Sequence, residues 1–342
     1  MGNQALTTIY GETSKHVKTI PTLDNDPTVG IFIDHTNYPD NGLIAVTQKW
    51  VQNFNFQTGE LVAQYFVDFP IIKVDCNLES DIGEIVIIAT ADGMVKILGT
   101  HELNLIREIN VKESFSDDIP TVAALCWNLE RDFIVGFSNG ATMSFSIKEA
   151  KLNHLFIGQG FFDDLEAAPP VEQIWSSIID RLIFISYADY CETSNKVKRL
   201  DKSLILIFNY ETAEYQRQAY LPKMSIINIA VLQEKKLLLM MTRGENSIFI
   251  MDYMDCRGIA KLGDLPSSQM FACPFTSSMV YAQMELYKQA IDAEALLYTP
   301  MDDGNIWTGL IKTSKENGEL QALWIPQHLY STNNKSVDVG II

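Results

Sequence analysis

The chain has 342 residues, 47% hydrophobic and 20% charged, and its 43 Asp and Glu against 26 Lys and Arg give a formal net charge of −17. That apolar share supports a core and excludes wholesale disorder, no apolar run approaches the ~18–20 residues of a membrane span, and the acidic balance disfavours nucleic acid and anionic lipid, whose phosphates need Lys and Arg. The five cysteines (Cys76, Cys126, Cys191, Cys256 and Cys273) are odd in number and scattered, which points to a reducing, cytoplasmic home without a disulfide framework.

Two short extended runs open the chain, LTTIY and HVKTI at residues 6–10 and 16–20. Seven prolines then mark a repeat. Pro27, Pro70, Pro120, Pro170, Pro222, Pro266 and Pro326 lie 43, 50, 50, 52, 44 and 60 residues apart, each just before a short apolar or alternating run. After Pro27 the chain reads TVGIFIDHTNYPDNGLIAVT, an extended run, a polar turn and a second run. TVAALCWNLERDFIVGF follows Pro120 and KMSIINIAVLQEKKLLLMM follows Pro222 in the same pattern. A third run enters through Asp92-Gly93 (MVKIL), Asn139-Gly140 (ATMSF), Glu245-Asn246 (SIFIM) and Asp303-Gly304 (NIWTG). Such pairs tolerate the positive φ angles of hairpin turns. A fourth run completes each unit, as in ELVAQYF, LNLIREI and GIAKL. Short runs rich in β-branched and aromatic residues read as strands, and four strands per unit of about 40–45 residues is the pattern of a propeller blade.

Aligned on their ends, the third strands finish at Phe54-Asn55, Leu98-Gly99, Phe145-Ser146, Phe208-Asn209, Met251-Asp252 and Gly309-Leu310. One 44-residue step back from Asn55 reaches Gly11, so LTTIY and HVKTI supply a third and fourth strand. QHLYS and VDVGII after Pro326 supply the matching first and second. The expectation is all-β: one domain over residues 1–342, a seven-bladed β-propeller whose seventh blade is closed by strands from both termini. Closure leaves no open sheet edge.

The unit resembles a degenerate WD40 repeat over essentially the whole chain. No third strand ends in Trp-Asp; Met251-Asp252 comes closest, and Phe54-Asn55 followed by Thr58-Gly59-Glu60 keeps the family's next turn. No Gly-His pair occurs, and proline takes that corner. RDFIVGFSNGATMSF, residues 131–145, is similar to a blade of the WD-repeat proteins that carry a FYVE zinc finger, but the chain has no Cys-x-x-Cys pair for the finger itself.

In the geometry the resemblance implies, fourth-to-first and second-to-third connections open on one face. Two second-to-third connections read as long: residues 188–201 (ADYCETSNKVKRLD) and residues 285–301, where ELYKQAIDAEALL has the spacing of about three helical turns. The corners on the same face are acidic. Asp26, Asp68, Asp117 with Asp118, Asp163 with Asp164, and Asp264 would draw a basic peptide or a Lys/Arg-rich protein surface. Asp is also a good turn residue, and scattered charge keeps proteins in solution. Lys198 and Arg199 form, with Lys196 and Lys202, a local basic patch that either meets a partner or folds back on the acidic corners. Phe161 and Phe162 either pack beneath the sheets or anchor a partner.

Chemistry-bearing motifs are few. The five histidines fall in separate units, no Cys/His pair has metal-ligand spacing, and Asp24-Asn25-Asp26 lacks the rest of a calcium loop, so no metal or cofactor is expected. Cys76 and Cys126 fall six residues past their prolines and Cys273 seven past, a recurrence that marks a buried position in the first strand. No G-x-S-x-G, P-loop or G-x-G-x-x-G occurs. The reading is a non-catalytic protein–protein interaction scaffold. Its alternatives are an enzyme with polar groups converging in a central channel, and a membrane-peripheral trafficking subunit, which would need lipidation or a basic surface.

Overall fold

The computed structural model describes residues 28–33, 42–55, 58–77, 84–115, 120–128, 132–162, 165, 168–193, 196–222, 224–233, 236–243, 247–262, 271–274, 293–300, 306–313 and 320–325. These form six four-stranded antiparallel sheets and one two-stranded ribbon. The chain divides into two compact units. The first, residues 1–67, 101–103 and 265–342, holds β1 (Thr28–Ile33), β2 (Gly42–Thr47), β3 (Trp50–Asn55) and β4 (Leu61–Phe66) in one sheet. Its other sheet contains β23 (Phe271–Pro274), β24 (Ala293–Pro300), β25 (Ile306–Thr313) and β26 (Leu320–Ile325).

The second unit, residues 68–100 and 104–264, holds the remainder. Its first two sheets are β5 (Ile71–Asn77), β6 (Ile85–Thr90), β7 (Met94–Gly99), β8 (Leu105–Asn110), and β9 (Val122–Asn128), β10 (Asp132–Phe137), β11 (Thr142–Ser146), β12 (Lys151–Phe156). The next pairs β13 (Val171–Ser177), β14 (Leu182–Tyr187), β17 (Lys202–Asn209) and β18 (Tyr215–Pro222), with the ribbon β15 (Tyr190–Thr193) and β16 (Lys196–Arg199) inserted after β14. The last is β19 (Ser225–Leu232), β20 (Leu237–Arg243), β21 (Ser247–Asp252) and β22 (Arg257–Leu262).

Side-chain alternation explains how these four sheets pack face to face. Along β14, Ile183, Ile185 and Tyr187 join the core shared with Ile134 and Phe156 of the preceding sheet. Leu182 and Phe184 point the other way, into the core shared with Leu238 and Met240 of the following one. β17 repeats the division, Leu204, Leu206 and Phe208 on one side and Ile205 and Ile207 on the other. A strand covered on both faces must be apolar at every position, and the second strands GLIAVT, IVIIAT and LIFISY are buried throughout. Outer strands have one partner, so LVAQYF and LIREIN leave most side chains wet. At Gly136 of β10 the next sheet comes close: a Cβ there would stand 2.4 Å from Val171 Cγ1.

The repeat recurs in the backbone in finer detail than the sequence pattern. In five sheets the first strand skips one residue (Val29, Ile72, Ala123, Glu172 or Ile227) in its ladder with the second. The fourth strand skips another near its start: Val62, Ile106, Asn153, Gln216 or Ile259. The turn before that bulge is closed each time by a residue in the left-handed region, namely Gly59, Leu103, Ala150, Ala213 or Cys256. Four of these carry a side chain, at a cost of roughly 1–2 kcal/mol each that the surrounding turn must offset. The offset is visible at Asn209, in the turn of Ala213, whose Oδ1 accepts the Glu211 and Thr212 N–H groups; Asn55 accepts the Thr58 N–H in the same way in the turn of Gly59. The carbonyls of Pro70, Thr121 and Pro170 accept from Ala91, Ser138 and Ala188, fixing the start of each first strand against the end of the second.

Five of the six aligned third strands end at the expected pair, at Asn55, Gly99, Ser146, Asn209 and Asp252. The sixth differs, since β25 continues past Gly309-Leu310 to Thr313. The helical expectation for ELYKQAIDAEALL also fails where it is described. Residues 293–297 belong to β24, paired with β23 on one side and β25 on the other. Ala, Glu and Leu favour helix locally, but a ladder on both edges overrides that preference. Residues 293–300 of the expected 285–301 insertion are therefore the second strand of this sheet, and the rest of that insertion lies outside the described residues. The terminal runs assigned to a seventh blade lie outside the described residues.

Candidate functional site

The β13–β18 sheet has two differently built ends, both within the second unit. At one end Ser177, Asp180, Gln233, Lys236 and Tyr253 form a polar latch onto the next sheet. Asp180 follows β13, Lys236 precedes β20 and Tyr253 follows β21. The Asp180 carboxylate accepts from Lys236 Nζ at 2.6 Å, from Ser177 Oγ at 3.2 Å and from the Tyr253 hydroxyl. Gln233 Oε1 accepts the N–H groups of Ile178 at 2.8 Å and Ile179 at 3.2 Å. Burial pushes the Asp180 carboxyl up, but hydrogen bonds from Lys236 and Tyr253, with the Lys236 charge, outweigh it and hold the group below its usual value. Burial, then the Asp180 hydrogen bond, raises Tyr253 well above an ordinary phenol, so it stays a donor.

The opposite end carries the ribbon. β14 ends on Tyr187, Ala188 N donates to Pro170 O at 2.9 Å, and Leu200 N donates to Asp189 O at 2.6 Å, which closes the ribbon's base. Ser225 of the next sheet donates its hydroxyl to the Asp189 carboxylate. Ser203 Oγ donates to Met224 O at 2.8 Å and accepts from Ile226 N at 3.0 Å, stapling the same junction. Four ladder pairs follow without a register shift, from Tyr190 with Arg199 to Thr193 with Lys196. Cys191 is buried, whereas Val197, Lys198 and Arg199 are exposed, Val197 to 65%.

Of the residues singled out in the sequence, Lys198 and Arg199 come together on β16, and neither is ion-paired among the described residues. Of the two roles open to it, Phe162 takes the packing one: it is 9% exposed, its ring 4.9 Å from that of Tyr187 at the root of the ribbon. Phe161 is half-buried, 4.6 Å from the Tyr215 ring. Asp68 is exposed after β4. Asp26, Asp117, Asp118, Asp163, Asp164 and Asp264 lie outside the described residues. Val197 escaped the sequence reading although it sits between Lys196 and Lys198; an apolar residue flanked by cations in a predicted loop was the available signal. The Asp180 latch gave no signal, because its partners are remote in sequence, Asp180 and Tyr253 being 73 positions apart.

Cys76 and Cys126 are buried first-strand residues, as their spacing implied. Burial, with Asp75 nearby, holds the Cys126 thiol far above its ordinary value, which removes the thiolate a nucleophile needs. Among the described residues no group of three or more His, Cys, Asp or Glu is placed to hold a metal ion, and no helix is long and apolar enough to cross a membrane. No protein family model matches the chain, and no curated protein matches its sequence.

Proposed function

We propose that the chain is a WD40-like, seven-bladed β-propeller serving as a non-catalytic interaction scaffold of a cytoplasmic protein assembly. The observation that carries this reading is the recurrence, in five sheets, of the same two bulges and the same left-handed turn residue, which makes each sheet one unit of a repeat. Repeat units of this kind stack to bury their faces and present their connecting loops for binding. The terminal runs LTTIY, HVKTI, QHLYS and VDVGII supply the strands of a seventh blade that closes the ring. Closure predicts that a chain cut before Gln327 melts at a lower temperature than the full chain; an unchanged midpoint contradicts it.

The partner is read as a protein with a basic peptide or Lys/Arg-rich surface, drawn by the acidic corners Asp26, Asp68, Asp117, Asp118, Asp163, Asp164 and Asp264. Phe162 is buried and Phe161 is half-buried against the same core, so Phe161 is the more accessible of the two aromatic anchors in this reading. With residues 293–300 in β24, one of the two insertions expected at that face loses its second half, and the ribbon at residues 190–199 is the insertion that supports the reading. The test is quantitative affinity capture with the full chain and with Asp26, Asp118, Asp163 and Asp164 changed to Asn. A stoichiometric partner kept by the first and lost by the folded variant is expected. Equal capture by both overturns the acidic contact.

A further inference from the structure

An outer strand with free N–H and C=O groups invites another strand unless something blocks it. Five of the six four-stranded sheets carry such a block, the bulge near the start of β4, β8, β12, β18 and β22. Bulges twist an edge and interrupt its pairing. The β25–β26 ladder is regular. The β15–β16 ribbon is regular too, and β16 has no strand on its other side among the described residues.

The ribbon differs from every bulged edge in its charge. Residues 196–202 hold four of the 26 cations of a chain whose net charge is −17. Lys198 and Arg199 are exposed, successive residues of a strand and so on opposite faces of it, and Val197, on the same face as Arg199, is 65% exposed. An added strand would thus find an apolar contact on one face, a cation on each face and an unblocked hydrogen-bonding edge. Its base is braced by Asp189 with Ser225 and by buried Cys191, so the edge is held in place before anything binds.

We propose that β16 is a docking edge for an extended acidic segment of a partner protein, one in which Glu or Asp alternates with β-branched residues. The segment adds as a third strand, its backbone pairing with β16, its carboxylates meeting Lys198 on one face and its β-branched side chains lying on Val197 and the aliphatic stem of Arg199 on the other. This rests on the interaction-scaffold reading but not on the acidic corners, and it names a second partner chemistry opposite in sign to theirs.

The test uses a fluorescein-labelled eight-residue peptide of alternating glutamate and valine, titrated by anisotropy into the full chain at low ionic strength. Saturable binding is expected, weakened about tenfold or more by Lys198→Glu with Arg199→Glu and weakened similarly by N-methylation of alternate peptide nitrogens. No binding, or binding that survives charge reversal in a variant with wild-type circular dichroism, overturns the proposal. So does equal affinity for the N-methylated peptide, or displacement of the peptide by single-stranded RNA or anionic vesicles at equal charge. Loss of protein capture in the Asp-to-Asn variant with peptide binding intact would count against the acidic corners alone.

Discussion

The two ends of the β13–β18 sheet solve opposite problems with similar residue types. At the latched end Asp180 collects three donors from two sheets. At the ribbon end Lys198 and Arg199 stand exposed, and only the root of the ribbon is tied down. A charge held by partners inside its own chain contributes to stability, whereas one held out to water contributes little until a partner arrives. The difference separates the part of the molecule that holds the fold from the part available for recognition.

The comparison breaks first at the latch. Asp180→Ala strands the fully buried Tyr253 hydroxyl and frees Lys236, and should lower unfolding stability by about 2 kcal/mol, read as the shift in urea midpoint at unchanged slope. A loss below about 0.5 kcal/mol would show that water replaces the latch. The effect should depend on pH. Because the folded Asp180 carboxyl lies below its ordinary 3.8, its contribution is present above that value and fades as pH falls through the lower, folded one. Stability curves of wild type and Asp180→Asn should converge in that acid range and stay separated at neutral pH. Gln233→Ala comes next at about 1 kcal/mol, since it removes the acceptor of the Ile178 and Ile179 N–H groups, two donors water can partly satisfy.

Ala213→Gly sharpens the turn end in the other direction. Ala213 has φ 56°, so glycine relieves left-handed strain and, net of its greater chain entropy, should raise stability by up to about 1 kcal/mol in thermal unfolding. The smallest effect is expected at the ribbon. Lys198→Glu with Arg199→Glu should change unfolding stability by less than about 0.5 kcal/mol, because both side chains are exposed and neither is ion-paired among the described residues. A larger loss would mean that the ribbon belongs to the latch-like, structural half of the comparison.

What could be read from the chain tracks how local the cause is. Prolines, Asn-Gly and Asp-Gly turns and β-branched runs act within a few residues, and they located the third-strand ends at Asn55, Gly99, Ser146, Asn209 and Asp252. Left-handed Leu103, Ala150, Ala213 and Cys256 were illegible because none is a residue type that seeks that conformation; the bulged ladder after each one demands it. Residues 293–297 misled because their helical spacing is local and the two ladders that overrule it are not. The basic cluster around Lys198 was visible, yet its presentation on a regular ribbon rooted by Phe162, Tyr187, Asp189 and Ser225 depends on residues of three different segments.

The most direct measurement is backbone amide hydrogen exchange of the full chain with and without the glutamate–valine peptide, followed by mass spectrometry. Added protection confined to residues 196–199, with β4, β8, β12, β18 and β22 unchanged, is the result predicted for an open edge beside bulged ones. No added protection at 196–199, or protection that appears along the bulged strands instead, would contradict it.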